Sequence, residues 1–81
     1  MRLQSKPIPR VSIIETIAAN VRRIRQARGL SQEALADKAN LHRTYVSGIE
    51  RCRRNPTAIV IEAMASALEV APAELLEEPK E

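Results

Sequence analysis

The stretch that decides the fold is QEALADKANLHRTYVSGIER, residues 32–51. Its apolar residues recur three or four positions apart, as they do on one face of a helix, and they do not alternate as in a strand. Ser31 precedes the stretch as an N-cap, and Asn40 interrupts it with a residue that tolerates the left-handed conformation. The stretch therefore predicts a helix over residues 32–39, a tight turn, and a second helix over about residues 42–50.

The two predicted helices can cross closely only if particular positions are small or apolar. Ala36 supplies the small side chain at the crossing, and Leu41 brings the chain back to the core after the turn. Val46 and Ile49 lie on the side of the second helix that faces the core, which leaves the polar side chains of residues 42–47 projecting outward. This is the pattern of a helix-turn-helix arrangement.

Three further helices are predicted around this pair. Ser12 and Glu15 have the spacing of a capping box, and the apolar residues behind them predict a helix over about residues 13–28. Later in the chain, Thr57 and Pro72 are typical of helix starts and predict helices over residues 58–68 and about 72–77. The expected fold class is all-α, a compact domain of five helices.

The length of 81 residues allows one domain, which we place at residues 12–77. Residues 1–11 hold two prolines and predict a flexible N-terminal arm, and residues 78–81 predict a tail. A single cysteine and a single histidine exclude an intramolecular disulfide and favour neither a metal site nor a cofactor, so an intracellular, cytoplasmic setting is expected. No apolar run approaches the roughly 20 residues of a membrane-spanning helix.

The charges are unevenly distributed along the chain. Residues 1–54 carry 12 basic and 4 acidic side chains, a balance of +8, whereas residues 55–81 carry 1 and 6, a balance of −5. This predicts one surface attracted to a polyanion and another kept away from it. The single aromatic residue excludes a stacking platform for single-stranded bases. Without a glycine-rich phosphate loop or a paired-carboxylate cleft, the chain is not expected to be an enzyme.

From about Ile17 to Leu76, the chain resembles the lambda-repressor-like, XRE-type DNA-binding domains. The resemblance is carried by RQARGLSQ at 25–32, by residues 32–41, and by YVSGIER at 45–51. Within that family, residues 42–51 and the following Arg53-Arg54-Asn55 are similar to the controller proteins of restriction-modification systems, which are dimeric transcriptional regulators.

Two positions depart from the family pattern, and one pair follows it. Asn40 and Cys52 stand where glycine is common, and the second departure predicts strain or a different shape in the loop after the third helix. The Cys52 thiol is interpreted as a bystander, with oxidant sensing as the alternative. The resemblance also implies a partly buried salt bridge between Arg25 and Glu50, joining the first helix to the third.

The resemblance implies that the third helix lies in the major groove of DNA. Arg43 is the first candidate for base reading, because its guanidinium can donate twice to guanine O6 and N7. The other base-reading candidates are Thr44, His42 and Ser47. The candidates for phosphate contacts are Gln32, Tyr45, Arg51, Arg54 and Asn55. Tyr45 has a second interpretation, ring packing at the edge of the core. Arg22, Arg23 and Arg53 are interpreted as solvated charges, with contact to DNA as the alternative.

One recognition helix spans only a few base pairs, so we expect a homodimer on a pseudo-palindromic operator. The acidic half is the predicted dimer surface, with Val70, Leu76 and Ile59 at the interface and Leu75 in the core. The predicted function is sequence-specific, regulatory binding to double-stranded DNA. The alternative is an antitoxin-type protein-interaction module that also binds its own operator and uses the arm at residues 1–11.

Overall fold

The computed structural model describes residues 12–78 of the chain. The helices in chain order are α1 (Ile13–Ala27), α2 (Gln32–Ala39), α3 (Arg43–Glu50), α4 (Ala58–Leu68) and α5 (Pro72–Leu76). These residues contain no strand, so the predicted all-α, five-helix fold is confirmed. None of the five helices has the length and apolar character needed to cross a bilayer. The predicted arm and residues 79–81 of the predicted tail lie outside the described part.

Hydroxyl side chains begin three of the helices, as the sequence predicted. At α1, the Ser12 N–H donates to Glu15 Oε1 at 3.0 Å while Ser12 Oγ accepts from the Glu15 N–H at 3.2 Å. Ser31 and Thr57 accept from the backbone at the starts of α2 and α4, and both helices have the predicted bounds. The approximate bounds predicted for the other three helices differ from the observed ones by one residue: His42 has extended backbone and precedes α3, and α1 and α5 stop one residue earlier.

The turns that follow four of the helices each contain one residue with left-handed backbone. These residues are Gly29 (φ 71°), Asn40 (φ 58°), Cys52 (φ 61°) and Glu69 (φ 63°). The N–H groups of each of these residues and of the next residue donate the paired hydrogen bonds of a Schellman motif, which satisfy carbonyl groups in the last turn of the helix. Only one of the four is glycine, the residue that adopts this conformation without steric cost.

Cys52 is the left-handed residue in the turn after α3. Its N–H donates to the Ile49 carbonyl at 3.0 Å, and the Arg53 N–H donates to the Gly48 carbonyl at 2.7 Å. A side chain with a Cβ atom disfavours this backbone conformation. The backbone strain predicted after α3 is therefore present at Cys52, where the turn requires a left-handed residue.

The core is aliphatic and lies between all five helices. Its largest members, none more than 7% exposed, are Ile17, Val21, Ile24, Leu35, Val46, Ile49, Met64, Leu68 and Leu75. Ala36 is 2% exposed in α2, which packs against α3, as expected for a small side chain at the crossing. The placement of Leu75 in the core is confirmed, since its side chain is fully buried.

Two polar side chains, one in α1 and one just after it, attach the acidic half to the rest of the domain. Arg28 Nε donates to the Leu68 carbonyl at 2.7 Å, at the end of α4. Asn20 is fully buried, and its Nδ2 donates to the carbonyls of Leu75 at 3.0 Å and Glu77 at 2.7 Å, at the end of α5. The Asn20 side chain of α1 and the Arg28 side chain just after this helix therefore satisfy backbone carbonyls at the ends of both acidic-half helices.

Candidate nucleic-acid interface

Helix α3 has one buried side and one exposed side. Val46 and Ile49 are 0% and 1% exposed and hold the helix on the core. The opposite side carries the four predicted base-reading residues: His42, Arg43, Thr44 and Ser47. The last three belong to the first five residues of α3, and His42 immediately precedes it, so all four side chains lie at or near its N-terminal end.

The Arg43 guanidinium is exposed and available to a ligand. Within residues 12–78, no carboxylate lies within 4.0 Å of it and it donates no hydrogen bond. His42 makes no side-chain hydrogen bond to cap α3, so the start of this helix is also open to solvent. The Arg43 guanidinium, next to this uncapped helix start, can donate hydrogen bonds to a ligand without first breaking a protein contact.

Behind this surface, α3 is held by a buried polar cluster around Glu50. Arg25 Nε and Nη2 donate to Glu50 Oε2 and Oε1 at 2.6 and 3.0 Å, and Gln32 Nε2 donates to Oε1 at 3.0 Å. The Arg25 and Glu50 side chains are only 11% and 3% exposed. Arg25 Nη1 also donates to the Leu30 carbonyl at 2.8 Å, so one guanidinium links α1, the following loop and α3.

Gln32 has a structural contact in addition to the phosphate contact predicted for it. One of its amide N–H groups binds Glu50, which leaves a second N–H and the amide oxygen. At this end of α2, the backbone N–H groups of Gln32 and Glu33 have no acceptor among residues 12–78. The start of α2 can therefore offer backbone donors to an anion while the side chain supports α3.

After α3, the chain turns back so that Arg54 lies against the helix. Its guanidinium carbon is 5.0 Å from the centre of the Tyr45 ring, within the range of a cation–π contact. Tyr45 is half-buried and packs against the core, so the ring-packing interpretation of this residue is confirmed. Arg51, Arg53 and Asn55 are exposed around the same loop. The loop thus adds cationic and amide groups next to the outward side of α3.

Three structurally important side-chain positions were missed by the sequence interpretation. Gly48 faces Arg54, Asn20 holds the end of α5, and Arg28 holds the end of α4. A glycine inside a helical pattern is a signal of close approach, and Asn20 interrupts the apolar stripe three residues after Ile17. Nothing in the local pattern distinguishes Arg28 from a solvated arginine.

The predicted dimer residues differ in exposure. Ile59 and Leu76 are 73% and 42% exposed, large apolar side chains facing solvent on α4 and α5. Val70 is half-buried and packs against the core, so less of it is free to contact another molecule. No group of His, Cys, Asp and Glu side chains in the described residues has the arrangement of a metal site.

Comparison with known proteins also identifies a helix-turn-helix domain. A family model described as helix-turn-helix, HTH_3, matches residues 21–75. Control protein C.SmaI of Serratia marcescens is 42% identical over 66 residues, covering 82% of this chain and 79% of that protein. Among five such relatives, the share of the relative's own length that the chain spans ranges from 37% to 79%.

Solved structures match over most of the chain. The hypothetical transcription factor NHTF from Neisseria superposes with a TM-score of 0.82 at 41% identity, covering 90% of both chains. The restriction-modification controller protein C.AhdI from Aeromonas hydrophila gives 0.75 at 42% identity, covering 76% of this chain and 94% of that one. With the family model matching well over half of its length, the chain belongs to the HTH_3, XRE-type family of helix-turn-helix DNA-binding transcriptional regulators.

Proposed function

We propose that the chain is a sequence-specific transcriptional regulator that binds double-stranded DNA through α3, as a homodimer on a pseudo-palindromic operator. The observation that carries this proposal is the contrast between the two sides of α3. The outward side presents a free Arg43 guanidinium, while Glu50 on the inner side accepts three hydrogen bonds that hold the helix in place. An exposed guanidinium without a protein partner, on a helix that is held in place, is suited to binding a ligand outside the domain.

Base reading is assigned to the first turns of α3. Arg43 donates twice to guanine O6 and N7, a pairing that distinguishes this base from the other three. Thr44 offers a hydroxyl to a polar base edge and a methyl group to thymine. His42 and Ser47 contribute through phosphate or water-mediated contacts. Because these side chains share one end of one helix, they read only a few adjacent base pairs.

Phosphate contacts are assigned to residues that flank α3. Gln32 holds one phosphate with its remaining amide N–H and the free backbone donors of α2. The Tyr45 hydroxyl and the exposed side chains of Arg51, Arg54 and Asn55 hold others. Such contacts set the position of the protein on the duplex without selecting sequence.

Dimerisation is assigned to the acidic half. Ile59 and Leu76 expose apolar side chains there, and Val70 lies at its edge. Five acidic side chains of the described residues lie between positions 55 and 78, where no basic side chain offsets them, and they disfavour contact with phosphates. Pairing of two copies through this half leaves both α3 helices free to occupy major grooves about 34 Å apart.

The relatives suggest a more specific role, control of a restriction-modification system. C.SmaI is a control protein, and C.AhdI is a restriction-modification controller. We extend that role to this chain as part of the proposal, acting in the cytoplasm where the DNA is accessible. Genes for a methyltransferase and an endonuclease beside its own gene would support it, whereas a neighbouring toxin gene would favour the antitoxin alternative.

Selection of bound duplexes from a random DNA pool tests the main proposal. We expect enrichment of a short sequence in two inverted copies, with centres about one helical turn apart. Enrichment of a single copy would contradict the homodimer, and absence of any enriched sequence would contradict sequence-specific recognition.

A further inference from the structure

Gly48 occupies an interior position of α3, where glycine is unfavourable. Relative to alanine, glycine in a helix loses more conformational freedom on folding. The backbone of Gly48 is ordinary helix, so no left-handed conformation requires this residue. The reason must therefore be the space that a side chain would occupy.

That space is filled by the side chain of Arg54. A Cβ atom on residue 48 would lie 2.6 Å from Arg54 Cγ, 3.7 Å from its Cβ and 3.6 Å from its Nε. The first distance is too short for two carbon atoms. The stem of Arg54 thus lies directly on the backbone of α3, and any other residue at position 48 displaces it.

The same placement brings the guanidinium over Tyr45. Tyr45 and Gly48 are three residues apart and lie on neighbouring positions of one helix face, so an arginine stem lying on Gly48 ends at the Tyr45 ring. The guanidinium carbon lies 5.0 Å from the ring centre. The loop is also tied to Gly48 directly, since the Arg53 N–H donates to the Gly48 carbonyl at 2.7 Å.

We propose that Gly48 is a positioning residue for DNA binding. Because it has no side chain, the Arg54 stem can pack against α3, which holds the guanidinium on the Tyr45 ring in position to contact a DNA phosphate beside α3. The inference rests on the proposed function and adds a mechanism to it. An arginine that is already ordered in the free protein loses less conformational entropy when it binds. Gly48 therefore contributes to affinity without touching DNA.

Gly48→Ala separates this role from a structural one. Because alanine favours helix over glycine, the variant keeps or raises the midpoint of thermal unfolding. Its affinity for the selected operator falls roughly 3- to 10-fold, the effect of releasing one long, ordered side chain. Affinity is measured by fluorescence anisotropy with the operator duplex found in the random-pool selection.

Arg54→Ala and the double variant test whether the effect acts through Arg54. Removing Arg54 alone weakens binding to all duplexes and lowers the slope of log affinity against log salt by about one. Once Arg54 is absent, Gly48→Ala has no further effect on affinity. Arg53→Ala is the matched control, because it removes a neighbouring exposed charge. In the Arg53→Ala background, Gly48→Ala should still lower operator affinity by the full amount.

Two results would overturn the inference while leaving the proposed function intact. One is operator affinity unchanged by Gly48→Ala. The other is an equal loss of operator affinity on Gly48→Ala in the presence and absence of the Arg54 side chain, which would mean that the added methyl group itself contacts the DNA. Failure of the wild-type protein to bind any selected duplex would instead overturn the proposed function.

Discussion

Arg25 in α1 and Glu50 in the last turn of α3 form a bidentate ion pair that is almost wholly shielded from solvent, with N–O distances of 2.6 and 3.0 Å. Gln32 adds a third hydrogen bond to the same carboxylate. Three helices therefore meet at one charged group directly beneath the recognition surface. The pair sets the orientation of α3, because moving the helix would separate buried opposite charges.

Glu50→Gln should destabilise the domain strongly. The substitution keeps the size of the side chain but leaves the Arg25 charge buried without its counter-charge, a loss of about 3 kcal/mol. Urea unfolding at a single protein concentration measures it. Glu33→Gln, which removes an exposed carboxylate from α2, is the control and should change stability by less than about 0.5 kcal/mol.

The structural assignment of Glu50 also makes a prediction about DNA. The base preference of the folded Glu50→Gln protein should match that of the wild type. Unchanged stability together with an altered base preference would show that Glu50 reads DNA and does not support α3.

Cys52→Gly should stabilise the protein. The residue has a φ of 61°, a conformation that costs a side chain with a Cβ about 1–2 kcal/mol, and glycine relieves this at some entropic cost. The expected net gain is about 1 kcal/mol in the free energy of unfolding. Cys52→Ala retains the Cβ and should give no gain, so equal effects of the two substitutions would show that the thiol and not the backbone is responsible.

Asn20→Ala should loosen α5. The buried amide donates to two carbonyls at the end of this helix, and their loss should cost about 2 kcal/mol. Hydrogen exchange should show reduced protection in α5 before it does in α2. Arg23→Ala removes only the 3.1 Å hydrogen bond to Asn20 Oδ1 and serves as the control. An equal loss in both variants would contradict a special role for Asn20.

Leu76→Glu should convert the proposed homodimer into a folded monomer. Leu76 is 42% exposed in the isolated chain, so a carboxylate is tolerated there, but burial of that charge between two copies should weaken dimerisation by more than about tenfold. Sedimentation equilibrium measures the association. Ala19→Glu places the same charge on the exposed side of α1 and should leave the dimer intact. Persistence of the dimer in the Leu76 variant would place the interface elsewhere.

Local sequence signals predicted most of the fold. Ser31 and Thr57 marked the starts of α2 and α4, and Asn40 marked the left-handed turn between α2 and α3. These features depend on neighbours a few residues away, which a pattern can reveal. Family resemblance, and not spacing, indicated the Arg25–Glu50 pair.

Other features depend on contacts that no local pattern contains. The partners of Asn20 lie 55 and 57 residues away in the chain, and they exist only once α5 packs on α1. The packing of the Arg54 stem against Gly48 depends on the path of the loop after α3, which the motif does not specify. In the sequence, Arg54 is one cation of a basic loop, and no local pattern indicates that its stem lies against α3.

The most direct test of the account is the effect of Arg43→Ala on operator and random DNA, measured by anisotropy at one salt concentration. Arg43 is assigned to base reading, so its loss should cost about 1–3 kcal/mol on the selected operator and remove the preference at one base pair of each half-site. Binding to random duplexes should weaken much less. An equal loss on operator and random DNA would contradict the assignment of α3 as the helix that reads sequence.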